Sequence, residues 1–190
     1  MGLFMGSRRA ECSANRPGKR PADAISSAPG WRAPCASGYI EGVSTASPYS
    51  ISTDRARLDA ALVHRYLSDQ SYWARGVPLE LVQRAICNSL CFGVYRGAEQ
   101  VGFARVVTDA ATFAYLADVF ILPAHRGLGL GKRLMAAVMA HPELQGLRRF
   151  MLATRDAHGL YRQFGFQDLK HPQILMERHD PQVYQRTRTE

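Results

Sequence analysis

The chain has 190 residues, enough for one domain with a proper core and a tail or two. With 46% hydrophobic and 21% charged residues it reads as globular, and no apolar stretch approaches the roughly 20 residues a membrane-crossing helix needs. The formal charge of +8 invites a nucleic-acid reading, but the basic residues form no block and no basic helix with interleaved aromatics. A solvated surface and attraction for an anionic ligand account for the charge better.

Residues 1–48 are rich in Gly, Pro, Ser, Ala and Arg without a period of 3.6 or 2, and read as a disordered or non-native leader. Gly6 stands where a myristoylation signal wants Ser or Thr, and neither a secretory nor an amphipathic transit pattern is present. From Pro48 the texture changes. "YSIST" predicts a short strand, and "STDRARLDAALVHRYL" a helix capped by Ser52 or Thr53, with Leu58, Leu62, Val63, Tyr66 and Leu67 as its apolar stripe. "VPLELVQRAICNSL" predicts a second helix with Pro78 near its first turn. "LCFGVYR" and "QVGFARVVTD" pair as an antiparallel hairpin about Gly97-Ala98. "TFAYLADVFIL" is a longer strand, followed by a glycine-rich turn and the helix "GKRLMAAVMAH". "LRRFMLAT" is the next strand, "AHGLYRQF" a short helix ended by Gly165, and "FQDL" and "QILMER" closing strands. Residues 179–190 read as a tail. The cysteines at 12, 35, 87 and 91 complete no zinc framework and no metal is expected; they read as small buried hydrophobes of a reducing, cytoplasmic protein.

Three alternate glycines at a helix entrance need a reason, because each lowers helix stability by about 1 kcal/mol relative to Ala. Strand, glycine turn, helix is a recipe for binding phosphate: the unpaired N–H groups of the first turn point at the ligand, and the helix dipole supports negative charge. Spacing separates the patterns that use it. A P-loop ending at Gly131-Lys132 requires Gly where Arg126 stands and Ser or Thr where Arg133 stands. A dinucleotide fingerprint requires G-x-G-x-x-G after a first parallel strand, and here the spacing is G-x-G-x-G after an antiparallel hairpin. Both fail.

Arg126-Gly127-Leu128-Gly129-Leu130-Gly131 matches R/Q-x-x-G-x-G/A, and with "VFILPAHRGLGLGKRLM" around it the segment resembles the coenzyme-binding strand–loop–helix of the GNAT acyltransferase superfamily. "AHGLYRQFGF" resembles that family's later A-x-x-x-Y-x-x-x-G-F segment, and the order of elements from Ile51 to Glu177 also follows it. The resemblance implies a mixed α/β domain over residues 49–178, with a mostly antiparallel sheet, a splayed parallel strand pair and flanking helices. It implies an N-acetyltransferase that uses acetyl-CoA and an amine acceptor by direct transfer in a ternary complex, and it allows a homodimer.

On that resemblance, Arg126, Gly127, Leu128, Gly129, Leu130, Gly131 and Lys132 form the pyrophosphate site, with the glycines clearing the approach. The pantetheine arm lies in the splay, its amides pairing with the main chain of the Val119, Phe120 and Ile121 stretch, and an N–H near Val119 polarises the thioester carbonyl. Tyr161 falls at the position of the acid that protonates the leaving sulfur. Many relatives carry an acid just before the position of Asp118, where this chain has Ala117, so Asp118, Tyr115 or a water chain remain as acceptors of the ammonium proton. Thr154 replaces an Asn that often contacts the coenzyme arm. His158 reads as a surface residue. Acceptor choice in the family lies mainly with the first two helices and their loop, here "SDQSYWARGVP", which offers Tyr72 and Trp73 as a lining and Arg75 for a carboxylate. Two other functions stay open at this point: a coenzyme A-binding sensor without turnover, kept alive by Ala117, and a basic nucleic-acid binder using the glycine turn on backbone phosphate.

Overall fold

The computed structural model describes residues 47–186; residues 1–46 of the leader, with Cys12 and Cys35, lie outside them. Five strands form one sheet in the order β1-β2-β3-β4-β5: β1 is Tyr49–Ser52, β2 Leu90–Arg96, β3 Glu99–Thr108, β4 Phe113–Ile121 and β5 Arg149–Leu152. Neighbours are antiparallel except the parallel pair β4 and β5. The mixed, mostly antiparallel class expected from the sequence is the one observed.

Strand β2 is buried from Cys91 to Tyr95, both faces included, because helices cover both sides of the sheet. On one face Phe92, Val94, Val101 and Val106 pack against α3 (Leu130–Met139), which presents Leu130, Leu134, Met135 and Val138 as an apolar stripe. On the other, Cys91, Phe103 and Phe120 meet α1 (Ala60–Arg65) and α2 (Leu79–Cys87) through Val63, Val82 and Ile86. The hairpin turns at Gly97, whose φ of 61° favours glycine. Burial pushes the Cys91 thiol up to about 11, so it stays protonated at neutral pH. Cys87, the last residue of α2, is only partly buried.

The first helix begins later than "STDR" suggested. Asp54 caps a single 3-10 turn, Arg55–Arg57, and Asp59 then caps α1 by accepting from the Leu62 N–H at 2.9 Å. A carboxylate is a strong acceptor at an N-cap, and Asp59 places the apolar stripe correctly for the core. The helix relaxes into a π-turn, Tyr66–Gln70, closed where the Ser71 hydroxyl donates to the Leu67 carbonyl at 2.6 Å.

The closing strands are a correction. "FQDL" and "QILMER" form no strand; Pro172 opens a 3-10 turn, Pro172–Ile174, and lacks the N–H a ladder needs. Met176 is 100% exposed, so nothing packs on that segment to reward strand alternation. Beyond it α5, Val183–Arg186, stands where the sequence suggested only a tail, and its Tyr184 packs on the α1–α2 side of the core. The remaining helix, α4, is His158–Arg162 and ends as expected near Gly165, whose φ is 85°.

Leu134 is fully buried between α3 and the sheet. Leu134→Ala is expected to cost about 2–5 kcal/mol, seen as a lower urea midpoint with an unchanged slope.

Candidate active site

Strands β4 and β5 pair only from Phe113↔Arg149 to Leu116↔Leu152. Beyond that point they part, and the parting coincides with a bulge. Phe103 pairs with Phe120 and Arg105 with Ala117, so Asp118 and Val119 stand opposite the single residue Ala104. Asp118 has φ of 54°, a left-handed conformation that Asp tolerates better than most residues. The gap holds a cleft of about 680 Å³, lined on one arm by Tyr115–Val119 and on the other by Ala153–Ala157, with Tyr161 and Tyr184.

The loop between α1 and α2 reaches over this gap and touches both arms. Trp73, 41% exposed, donates its indole N–H to Asp118 Oδ1 at 3.0 Å. Tyr72 packs edge-on against Trp73, and its hydroxyl accepts from the Arg155 main-chain N–H at 3.1 Å. Asp118 Oδ2 is paired with Arg105 Nε, and Arg105 Nη1 reaches the Ser89 hydroxyl at 3.3 Å. Both Asp118 oxygens therefore have protein partners. Tyr72, Trp73, Tyr115 and Asp118 line the cleft. Arg75 does not: Ser71 Oγ accepts from the Ala74 N–H, Ala74 turns inward, and the next side chain points to solvent.

Tyr161, on α4, is 8% exposed. Burial pushes its phenol up to about 12, with the nearby Tyr72 and Asp156 adding to the rise. It holds its proton throughout the neutral range, and among the described residues no group hydrogen-bonds its hydroxyl. Thr154 Oγ1 accepts from the Ala157 N–H at 3.0 Å, capping the approach to α4 and leaving its own O–H free to donate.

The glycine turn flanks the cleft without lining it. Gly127 (φ 77°) and Gly129 (φ 72°) are left-handed, and Gly129 is the N-cap of α3. A Cβ on either would meet nothing within 4 Å, so these glycines serve the backbone path and an open approach rather than internal packing. The first intrahelical bond is Arg133 N–H to Gly129 O at 3.1 Å; among the described residues, the N–H groups of Gly127–Lys132 have no acceptor. The first turn of α3 carries no acid. Leu128 is 57% exposed and Lys132 is exposed beside it. Arg126 behaves differently from the expectation. Its Nε donates to the Ile121 carbonyl at 3.0 Å and its Nη2 to the Tyr66 hydroxyl at 2.9 Å, so its side chain braces the turn against β4. Of the β4 segment, Val119 lines the cleft, while Phe120 stacks on Tyr66 at 3.8 Å between ring centroids and Ile121 is buried. Gly131 lies against α4: a Cβ there would stand 3.7 Å from Leu160 Cδ2, next to Tyr161.

Sequence reasoning missed Arg105, Arg155, Asp156 and Tyr184 at this cleft. Arg105 carried a signal, being a lone charge in the apolar run "VGFARVV". The other three sit in a loop and a terminal helix whose position depends on the folded partner surfaces. Among the described residues no cluster of His, Cys, Asp and Glu is arranged to hold a metal, and no helix is long and apolar enough to cross a membrane.

Residues 56–166 match the model of the acetyltransferase (GNAT) family. A Gibberella zeae protein, FG08082, named among the acetyltransferases, is 36% identical over 66% of this chain and 83% of its own length. The crystal structure of a GNAT-family protein, xcc2953, from Xanthomonas campestris pv. campestris is 60% identical, covers 72% of this chain and 96% of its own, and superposes with a TM-score of 0.70. At 19% identity, N-acetylglutamate synthase from Neisseria gonorrhoeae, solved with coenzyme A and N-acetyl-glutamate, shares the fold over 74% of this chain and 32% of its own, with a TM-score of 0.52.

The two glycine positions separate cleanly. Gly129→Ala is expected to destabilise the fold by about 1–2 kcal/mol because φ is left-handed there. Gly131→Ala is neutral or stabilising by up to about 1 kcal/mol, its Cβ meeting only ordinary contact. Thermal denaturation of the two variants side by side checks this.

Proposed function

The chain belongs to the acetyltransferase (GNAT) family, and from that premise we propose that it acetylates an amine, taking the acetyl group from acetyl-CoA by direct transfer while both substrates are bound. The observation that carries the proposal is the cleft where β4 and β5 part, with a buried, protonated Tyr161 in its wall that has no hydrogen-bond partner among the described residues. The coenzyme A in the Neisseria gonorrhoeae synthase, which shares the fold, supports the choice of acyl donor.

The residues present fit the coenzyme. The bare N–H groups from Leu128 to Lys132, at the positive end of the α3 dipole and with glycines that put no side chain in the way, take its diphosphate. Arg126 fixes that turn to β4 and Tyr66, while Lys132 adds screened attraction. The main chain of Val119 and Ile121, past the last β5 pair, takes the amides of the arm as an added strand would, and the Thr154 hydroxyl donates to it. When bound, the coenzyme supplies an acetyl group activated as a thioester.

The protein's part is to place protons. The acceptor enters as an ammonium and must lose one proton before its nitrogen can attack the carbonyl carbon. As the C–N bond forms and the C–S bond breaks, Tyr161 gives its proton to the departing sulfur and regains one from the nitrogen. The balance is one amide, one thiol and one proton released. Asp118, held by Arg105 and Trp73, positions the loop that roofs the cleft rather than accepting that proton. Tyr72, Trp73 and Tyr115 form the acceptor's walls.

Isothermal titration with coenzyme A and acetyl-CoA tests the donor, and thiol release on adding amines tests turnover. Saturable binding with thiol release is expected; no affinity for either coenzyme form overturns the reading, and binding without turnover reduces it to a sensor. Tyr161→Phe should lower kcat by about 100-fold or more while leaving coenzyme affinity unchanged. Because the phenol sits at about 12, the wild-type rate should show no alkaline loss traceable to Tyr161 below about pH 11.

A further inference from the structure

The charges that line the cleft balance in number but are not all paired. Its ionic residues are Arg105, Asp118, Arg155 and Asp156. Arg105 and Asp118 are paired with each other, and the Trp73 N–H fills the remaining Asp118 oxygen. Arg155 and Asp156 have no such match: among the described residues neither joins an ion pair or a side-chain hydrogen bond.

Arg155 is nevertheless held in place. Its guanidinium carbon lies 3.8 Å from the Tyr72 ring centroid, and its main-chain N–H is anchored on the Tyr72 hydroxyl. The ring takes none of the guanidinium's N–H groups in hydrogen bonds, and with no protein acceptor among the described residues they are open to take a carboxylate in two-pronged fashion. Tyr72 belongs to the roof loop, and both it and Arg155 line the cleft. Asp156 follows in the same loop, close enough for its charge to act on the Tyr161 hydroxyl. One fixed cationic edge and one free carboxylate, a residue apart on the cleft wall, suit a ligand that carries both signs.

We infer that the acceptor is an amine that also bears a carboxylate, its acid clamped by the Arg155 guanidinium and its ammonium turned towards Asp156. The inference rests on the acyl-transfer reading and narrows its substrate to amino-acid-like or C-terminal peptide-like amines. Asp156 receives the first ammonium proton and passes it to solvent. Tyr161 exchanges the second between nitrogen and sulfur, so the overall reaction is unchanged.

The test is thiol release from acetyl-CoA with matched acceptors: the protein amino acids and short peptides, each beside its decarboxylated amine. Wild type, Arg155→Met, Arg155→Lys and Asp156→Asn are compared, with coenzyme A affinity measured by calorimetry on each. In wild type, kcat/KM should favour the acid-bearing member by about 10- to 100-fold. Arg155→Met should erase that preference through KM, Arg155→Lys should restore part of it, and Asp156→Asn should slow the same acceptors about tenfold; coenzyme affinity should hold in all. The inference is overturned if wild type favours the decarboxylated amines, if the preference survives Arg155→Met, if Asp156→Asn is fully active, or if coenzyme A binds while no acid-bearing acceptor is turned over. Failure of wild type to bind coenzyme A overturns the acyl-transfer reading instead.

Discussion

Asp118 adopts a φ of 54° in the middle of β4, and the site is arranged around the consequences. A left-handed L-residue costs about 1–2 kcal/mol, somewhat less for Asp. Each charge-assisted hydrogen bond to its carboxylate returns about 1.5–3 kcal/mol, and it has two, from Arg105 and from Trp73. The conformation is therefore held by its partners. It inserts the extra residue opposite Ala104, bends β4 where its pairing with β5 ends, and leaves a gap between two strands that would otherwise continue side by side. The same carboxylate fastens the roof loop through Trp73. One residue thus opens the cleft and positions its cover.

The second organising fact is where the chain leaves donors unused. Among the described residues the N–H groups at the start of α3 have no acceptor and its first turn carries no acid, so the positive end of that helix is suited to an anion from outside. The Arg155 fork is a second such place, on the other arm of the cleft. Between them lies a phenol that burial keeps protonated. On the proposed reading these are donors for a diphosphate, a proton for a thiolate and donors for a carboxylate, and they stand on separate elements: α3, α4 and the loop after β5.

What could be read from the residues was what depends on local geometry. The glycine turn was legible because left-handed φ and exposed N–H groups are properties of a few adjacent residues, and Gly127 and Gly129 behave accordingly. The β2–β3 hairpin and the α3 stripe follow from periodicity alone. The bulge was not legible: "FAYLADVFI" carries nothing that marks Asp118 as left-handed until Arg105 and Trp73 are brought beside it. The same limit explains Arg126, whose charge suggested a ligand contact until Tyr66, sixty positions earlier, supplied an acceptor for it. It explains the missing closing strands as well, since alternation in "QILMER" needs a neighbour to pair with, and Met176 has none.

The central claim is that the left-handed backbone at residue 118 makes the cleft that receives the coenzyme. Calorimetric coenzyme A affinity of Asp118→Gly against Asp118→Val, with both folds checked by circular dichroism, tests it most directly. Glycine adopts the required φ and should bind within a few-fold of wild type, whereas a β-branched residue disfavours that φ and should lose tenfold or more. Equal, wild-type-like affinity in the folded valine variant would contradict the account.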